Sequence, residues 1–186
     1  GGWRLGALAF PEPLRPLLAA TTRAAAETHT STSAPIQHAA RVAFEGGEDI
    51  EEYLVRVRRV LAAAGRWTAR RLTEAGVRCV QPIGAFYVFP DFEPLRTRLE
   101  ERGIASGTAL CERLLDETGI SLLPGAGFGR DERELTARLA YVDFDGAKAL
   151  AAVSVIPREQ PLDETFLRRH CPRVVEAVRR LSSWLA

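Results

Sequence analysis

Methionine is missing from all 186 residues, so Gly1 is not expected to be a translation start and the chain is read as opening inside a longer frame. Lysine is nearly missing: 24 of the 25 basic residues are arginine, and the exception is Lys148. That bias points to a GC-rich coding sequence rather than to a function. Cysteine is sparse. Cys79, Cys111 and Cys171 are odd in number and far apart, with no CxxC pair and no His/Cys cluster. The pattern supports neither a disulfide framework nor a zinc site, and a reducing cytoplasm is the expected location. Long apolar runs are missing too: none approaches the roughly 20 residues of a membrane span. No basic, apolar signal segment is visible at the start, so a soluble protein is expected. The last absence is a surplus of charge. With a formal net charge of +1, neither nucleic acid nor an anionic membrane is an expected partner.

What is present is a chain of 46% hydrophobic residues, enough for one domain or two small ones. GGWRLGALAF runs into Pro11 and Pro13 and reads as a short buried strand ending near Phe10, because proline cannot donate to a ladder. Residues 14–26 read as a helix with a small-residue face. The hydroxyl-rich THTSTSAP that follows suits a loop with local hydrogen bonds, and a second helix spans residues 36–44 until Gly46 and Gly47 break it.

Residues 48–75 form the longest periodic segment. Ile50, Leu54, Val57, Leu61 and Ala64 recur at helical spacing on one face. Arg56, Arg59 and Arg70 occupy the other face, where a solvated surface is the default over RNA binding. Glu48, Asp49, Glu51 and Glu52 crowd the first turns, where the helix dipole favours acids, and Gly76 stands where a C-terminal stop belongs. From Val77 the texture becomes short strands alternating with helices, which predicts a layered α/β unit. VRCVQP and GAFYVFPDF read as strands paired around Pro82-Ile83-Gly84. Residues 94–102 and 106–118 read as helices, the second capped by Ser106. ISLLPG and TARLAYVDF read as two more strands, and residues 145–152 and 163–185 as helices joined through PREQP.

Few residues carry chemistry. Arg4 and Arg138 each sit in an apolar, strand-like context, where an unpaired guanidinium would be costly. Each is read as one half of an internal ion pair or as an anion ligand, one for a phosphate and the other for a substrate carboxylate; the bidentate fork suits both. PGAGFG, residues 124–129, lacks the ending of a phosphate loop and reads as a tight turn between strands. His29, His38 and His170 have no partner pattern and read as surface or loop residues.

Four blocks, in order, resemble one family. GGWRLGALAFP resembles the stretch that follows the Schiff-base lysine in class I/II pyridoxal-phosphate aminotransferases of the aspartate-aminotransferase fold type. THTSTSAPIQHAA resembles that family's hydroxyl-rich loop and helix at the dimer interface. PIGAFYVFPDF resembles the first strands of its small domain, and GISLLPGAGFG with ARLAYVDF its late arginine block. The resemblance spans residues 1–152. It implies an α/β fold made of the end of the large cofactor-binding domain (residues 1–47), a connecting interdomain helix (48–76) and the small C-terminal domain (77–186). It implies pyridoxal 5'-phosphate as cofactor, amino acid and 2-oxo acid substrates, and a homodimer. Arg4 would bind the cofactor phosphate and Arg138 the substrate α-carboxylate. Thr30, Ser31 and Thr32 would lie near the neighbouring subunit's site, while Phe86 and Tyr87 are read as strand core.

The departures matter equally. The family's lysine is expected about five residues before Gly1, and nothing around Lys148 matches its motif. Transamination needs that amine for cofactor attachment and for proton transfer at the substrate α-carbon, so this chain alone is expected to be inactive. Residues 153–186 run longer than the family pattern, with Pro157 and Pro161 interrupting the final helix. Two other readings stand beside the enzyme fragment. One is the aminotransferase-like effector domain of a winged-helix transcription regulator, where Leu-Arg-Leu-Gly-Tyr is commoner than the Trp3-Arg4-Leu5-Gly6 found here. The other is a non-catalytic interaction domain.

Overall fold

The structure, a computed structural model, describes residues 3–29 and 31–186. The chain divides into two compact units, Gly1–Glu52 and Tyr53–Ala186.

In the first unit the expected buried strand does not form. The segment before Pro11 is irregular, and Trp3, Leu5 and Leu8 are exposed. A strand exists only through its ladder, and no described residue pairs with this one. A 3-10 turn, Glu12–Leu14, leads into helix α1, Arg15–Thr28, and helix α2 spans Ala34–Glu45. Both helices carry proline in the first turn, where its missing N–H costs nothing. α1 buries none of its residues and α2 only Ala40. Gly46 and Gly47, at φ 77° and 148°, end α2 in a backbone region that other residues rarely enter.

Helix α3, Glu48–Glu74, starts with Glu48, Asp49 and Glu51 on the positive end of its dipole. The stripe from Ile50 to Leu61 is only half-buried. Deep burial falls instead on Val60, Ala64, Trp67 and Leu72, because only the C-terminal half of the helix has a core to pack against. Gly76, at φ 86°, closes α3 as expected. Its N–H reaches the Thr73 carbonyl at 3.0 Å and the Val77 N–H reaches that of Leu72 at 3.0 Å, the paired bonds of a Schellman stop.

A three-stranded antiparallel sheet lies at the centre of the second unit, in the order β1-β3-β2. β1 is Tyr87–Val88, β2 is Leu123–Pro124 and β3 is Ala137–Ala140. The expected hairpin around Pro82-Ile83-Gly84 shrinks to one bridge, Arg78 to Asp91, reinforced by a 2.6 Å ion pair between the same residues. Pro82 and Pro90 withhold N–H groups from such a ladder, and Ala85 turns the chain at φ 57°. β1 therefore pairs with β3, placing Tyr87 opposite Ala140 and Val88 opposite Leu139.

Helices cover this sheet. After a 3-10 turn, Glu93–Leu95, come α4, Arg96–Glu101, and α5, Gly107–Thr118. Ser106 caps α5, its hydroxyl accepting from the Ala109 N–H at 3.2 Å. Asp145 caps α6, Gly146–Ser154, in the same way. The expected single helix over residues 163–185 is two: α7, Glu164–His170, and α8, Pro172–Leu185. Pro172 forces the break, since it has no N–H for α7 to continue and is well placed as a first-turn residue.

The tail is part of the core. Phe166, Leu167, Val174, Val178, Leu181 and Leu185 are buried with Trp67, Leu72, Phe92, Leu110, Leu135 and Tyr141. Arg59, expected in solvent, latches the connection before α7. Its guanidinium donates to the carbonyls of Ile156, Pro157 and Gln160 at 2.8 to 3.0 Å. The architecture is thus mostly helical with a small antiparallel sheet, a coarser form of the expected α/β layering.

Candidate carboxylate site

Arg138 stands on β3, the central strand, opposite Leu123 of β2. Its backbone position is fixed from both sides, so its half-buried side chain leaves the sheet from the most constrained strand in the unit. Two aromatic rings meet the guanidinium. Tyr87 lies with its ring centroid 4.3 Å from the guanidinium carbon and Phe128 with its centroid at 4.5 Å, both inside cation–π range.

The register explains Tyr87. Arg138 and Ala140 share one face of the pleat, and Tyr87, opposite Ala140, is the diagonal cross-strand neighbour of Arg138. A glycine explains Phe128. The PGAGFG segment is the tight turn its composition predicts, a 3-10 turn, Gly125–Phe128, between β2 and β3. A Cβ on Gly125 would fall 2.0 Å from the Thr136 hydroxyl, so only glycine lets the turn close against β3. The Gly125 N–H then bonds the Thr136 carbonyl at 2.8 Å, and Phe128 is delivered over Arg138. Phe89 meets Phe128 edge-on at 6.0 Å between centroids and supports it.

Two ring faces therefore meet the guanidinium, while its N–H donors are unspent among the described residues. Among the described residues no carboxylate lies within ion-pair distance of Arg138, and no protein oxygen accepts from it. Of the two readings the sequence left open, an internal ion pair is not what the described residues form. A guanidinium with unspent donors presents a planar row of N–H groups, which matches a planar acceptor such as a carboxylate. Tyr87, read from the sequence as core, is exposed; Phe86 is the partner that packs on the core. The signal for Tyr87 was the alternation along β1, where Val88 is buried and its neighbours Tyr87 and Phe89 are not.

The other expected site residues belong to the first unit. Arg4 lies in the first unit, exposed and at φ 53°, rather than in a buried strand. Ser31 is exposed, and Thr32 offers its carbonyl to the Gln37 amide at 2.6 Å. Thr30 falls outside the described residues. Lys148 is exposed on α6 and pairs with Asp145 at 3.3 Å. His29 and His38 are exposed, and His170 stacks on Phe166 at 4.7 Å, where burial lowers its pKa. All three thiols, Cys79, Cys111 and Cys171, are pushed up to about 11 by burial, which keeps them protonated and unreactive near neutrality.

Two larger hollows lie away from Arg138. One, of about 470 Å³, runs between Trp67 of α3 and Glu164 of α7; the other, of about 570 Å³, is a charged depression around Arg96 and Arg133. Among the described residues no group of His, Cys, Asp and Glu is placed to hold a metal, and no helix is long and apolar enough to cross a membrane.

The second unit is thus a small antiparallel sheet wrapped by helices, with an arginine on its central strand that has no acceptor among the described residues. The chain belongs to the class I and II aminotransferases, whose family model matches residues 1–151. It is 32% identical over 149 residues to an asparagine–oxo-acid transaminase of Streptococcus mutans, an alignment covering 75% of this chain and 33% of that protein. Against alanine aminotransferase 1 of Bos taurus it is 45% identical over 76 residues, 39% of this chain and 15% of the relative. The crystal structure of an aromatic aminotransferase from Pyrococcus horikoshii OT3 superposes with a TM-score of 0.57 at 24% identity, over 99% of this chain and 39% of that one. The chain spans about a third of the length of the first relative and less of the second, so it is a partial domain of a family that depends on pyridoxal phosphate.

Proposed function

We propose that this chain is the C-terminal portion of an amino-acid aminotransferase, and that Arg138 holds the α-carboxylate of the amino acid and of the 2-oxo acid formed from it. The observation that carries the reading is the state of Arg138: without an acceptor among the described residues, its N–H donors unspent, on the most constrained strand of the unit. Residues 1–47 would close the large cofactor-binding domain, residues 48–76 would connect it, and residues 77–186 would form the small domain. Arg4, exposed and with no acceptor among the described residues, fits a ligand for the cofactor phosphate. Thr30, Ser31 and Thr32 would face the site of the neighbouring subunit in a homodimer.

Pyridoxal 5'-phosphate, when bound, supplies an electron-withdrawing ring that stabilises negative charge at the substrate α-carbon. This chain's own part is binding and orientation. Arg138 fixes the carboxylate end of the substrate, which sets the direction of the α-carbon's proton and removes rotational freedom that the reaction would otherwise have to quench. The amine that attaches the cofactor and moves the α-proton is not offered here, since Lys148 is exposed and paired with Asp145. By itself the chain is therefore inactive in this reading.

The test is kinetic and uses the intact parent polypeptide, assayed for amino-group transfer to 2-oxoglutarate. A hydrogen-bonded contact to a charged group contributes about 1.5–3 kcal/mol, so Arg138→Ala should raise KM roughly 10- to 100-fold. Unchanged substrate affinity in that variant would sink the assignment. The named relatives include an asparagine–oxo-acid transaminase and an alanine aminotransferase, so the assay runs over a panel of donors rather than one.

A further inference from the structure

Many arginines in the second unit have carboxylate partners close at hand. Arg78 pairs with Asp91, Arg113 with Glu117, Arg130 with Glu134 and Arg173 with Asp143. Even Arg102, which also lies over a ring, that of Trp184 at 3.8 Å, bonds Glu117 at 3.2 Å and the Trp184 carbonyl at 2.9 Å. Arg138 departs from this pattern. Its guanidinium is met by two ring faces and by no acceptor among the described residues. The rings arrive from opposite sides of β3, Tyr87 from β1 and Phe128 from the turn after β2, and both are substantially exposed. An aromatic face restrains a guanidinium without consuming a single N–H, whereas a carboxylate would restrain it and consume the donors.

We propose that Tyr87 and Phe128 form an aromatic clamp that sets the plane of the Arg138 guanidinium and leaves its edge open, making them positioning residues for carboxylate recognition. The inference rests on Arg138 being the carboxylate ligand. Phe89 holds Phe128 edge-on and so belongs to the same device. The ring face of Tyr87 is what acts; its hydroxyl makes no hydrogen bond among the described residues. The clamp also predicts what each neighbour tolerates: any aromatic side chain at residues 87 and 128, and no aliphatic one.

The experiment uses the intact parent polypeptide with labelled arginine side chains, observed by NMR, with pyruvate as the carboxylate probe and pyruvamide as its neutral counterpart. In the unsubstituted chain the Arg138 side-chain N–H signals should lie upfield of the other arginines through ring currents and should move with pyruvate but not with pyruvamide. Phe128→Leu and Tyr87→Leu should each reduce the upfield displacement and weaken pyruvate binding roughly two- to fivefold, the worth of one cation–π contact at a partly exposed site. Tyr87→Phe and Phe128→Tyr should retain both properties, which a merely structural loss would not do.

Binding abolished by Arg138→Ala yet unchanged in both leucine variants would overturn the clamp and leave the carboxylate reading standing. Weakening in Tyr87→Phe equal to that in Tyr87→Leu would overturn it as well, by placing the effect on the hydroxyl. An Arg138 signal with no upfield displacement overturns the clamp without any variant, so a leucine variant that fails to fold does not shelter it. No response to pyruvate in the unsubstituted chain would overturn the carboxylate reading, and the purpose of the clamp with it.

Discussion

Gly65 shows how tightly single positions are specified in this molecule. It lies on α3 where the helix passes the buried ring of Tyr141, and a Cβ there would sit 2.7 Å from the ring's Cζ and hydroxyl and 2.8 Å from Pro82. Glycine inside a helix ordinarily costs about 1 kcal/mol relative to alanine, so on an exposed face Gly65→Ala would stabilise. Here the added methyl must displace a ring whose hydroxyl is anchored to the Ala85 carbonyl at 3.1 Å, and overpacking of that kind costs about 1–3 kcal/mol. Gly65→Ala should therefore lower the urea midpoint; a higher midpoint would mean that α3 and Tyr141 are not packed as described. The cysteines give a second residue-scale expectation. With all three thiols pushed up to about 11, alkylation by iodoacetamide at pH 8 should be slow in the folded chain and fast in denaturant, and rapid labelling of Cys111 or Cys171 would contradict their burial.

At the scale of elements, the helices of the second unit are set by caps and by tryptophan anchors. Ser106 caps α5 through its hydroxyl, and Ser106→Ala should cost about 0.5–2 kcal/mol with little change in the folded spectrum. Trp67 of α3 donates to Glu164 of α7 at 2.8 Å, and Trp184 of α8 donates to Glu117 of α5 at 2.6 Å. These indole bonds, joined by Arg168 and Arg113, hold both carboxyl groups below the usual glutamate value of 4.5. A depressed carboxyl contributes stability that is present above its unfolded pKa and is lost as pH falls through its folded one. Melting temperature should thus be level from neutrality down to about pH 4.5 and drop below it, and Glu164→Gln with Glu117→Gln should blunt that drop. Helix α1 behaves differently. It buries none of its residues, and an isolated helix of its length is marginal in water, so its amides should exchange at near-intrinsic rates.

For the whole molecule the contrast lies between two units of unequal self-sufficiency. Tyr53–Ala186 contains a continuous core running from Val60 to Leu185, whereas Gly1–Glu52 leaves Leu8, Leu17, Val42 and Phe44 exposed. Hydrogen exchange should find the slow amides in α3 beyond Val60, α5, β3 and α8. Equal protection in α1 and α5 would refute the division. The alkaline limb of stability has its own cause. The thiols of Cys79, Cys111 and Cys171, raised from 9.0 to about 11, and the Tyr141 phenol, also raised, keep their neutral forms on folding. Stability should then be intact below about pH 9 and fall as pH rises through 11, as measured by thermal melts across that range.

Local physics settled a good part of this chain before any tertiary contact entered. The long helix and its Gly76 stop, the Ser106 cap and the PGAGFG turn all follow from nearest-neighbour spacing, dipole charge and backbone freedom, which depend on residues a few positions apart. What the fold alone decided depends on which segment meets which. Proline and a left-handed Ala85 denied the expected hairpin its ladder, so Tyr87–Val88 paired with a strand about fifty residues further on. The apolar stretch before Pro11 stayed irregular because a strand has no existence apart from its partner. Arg59 reads as a solvated arginine in sequence and became a latch because the loop carrying Ile156, Pro157 and Gln160 passes within its reach. The site divides the same way: residue type and position marked Arg138 as a guanidinium in need of an anion, whether internal or bound. Only the antiparallel register and the close approach that Gly125 permits could bring Tyr87 and Phe128 onto its guanidinium, since cross-strand neighbours are set by pairing distance in space and not by distance along the chain.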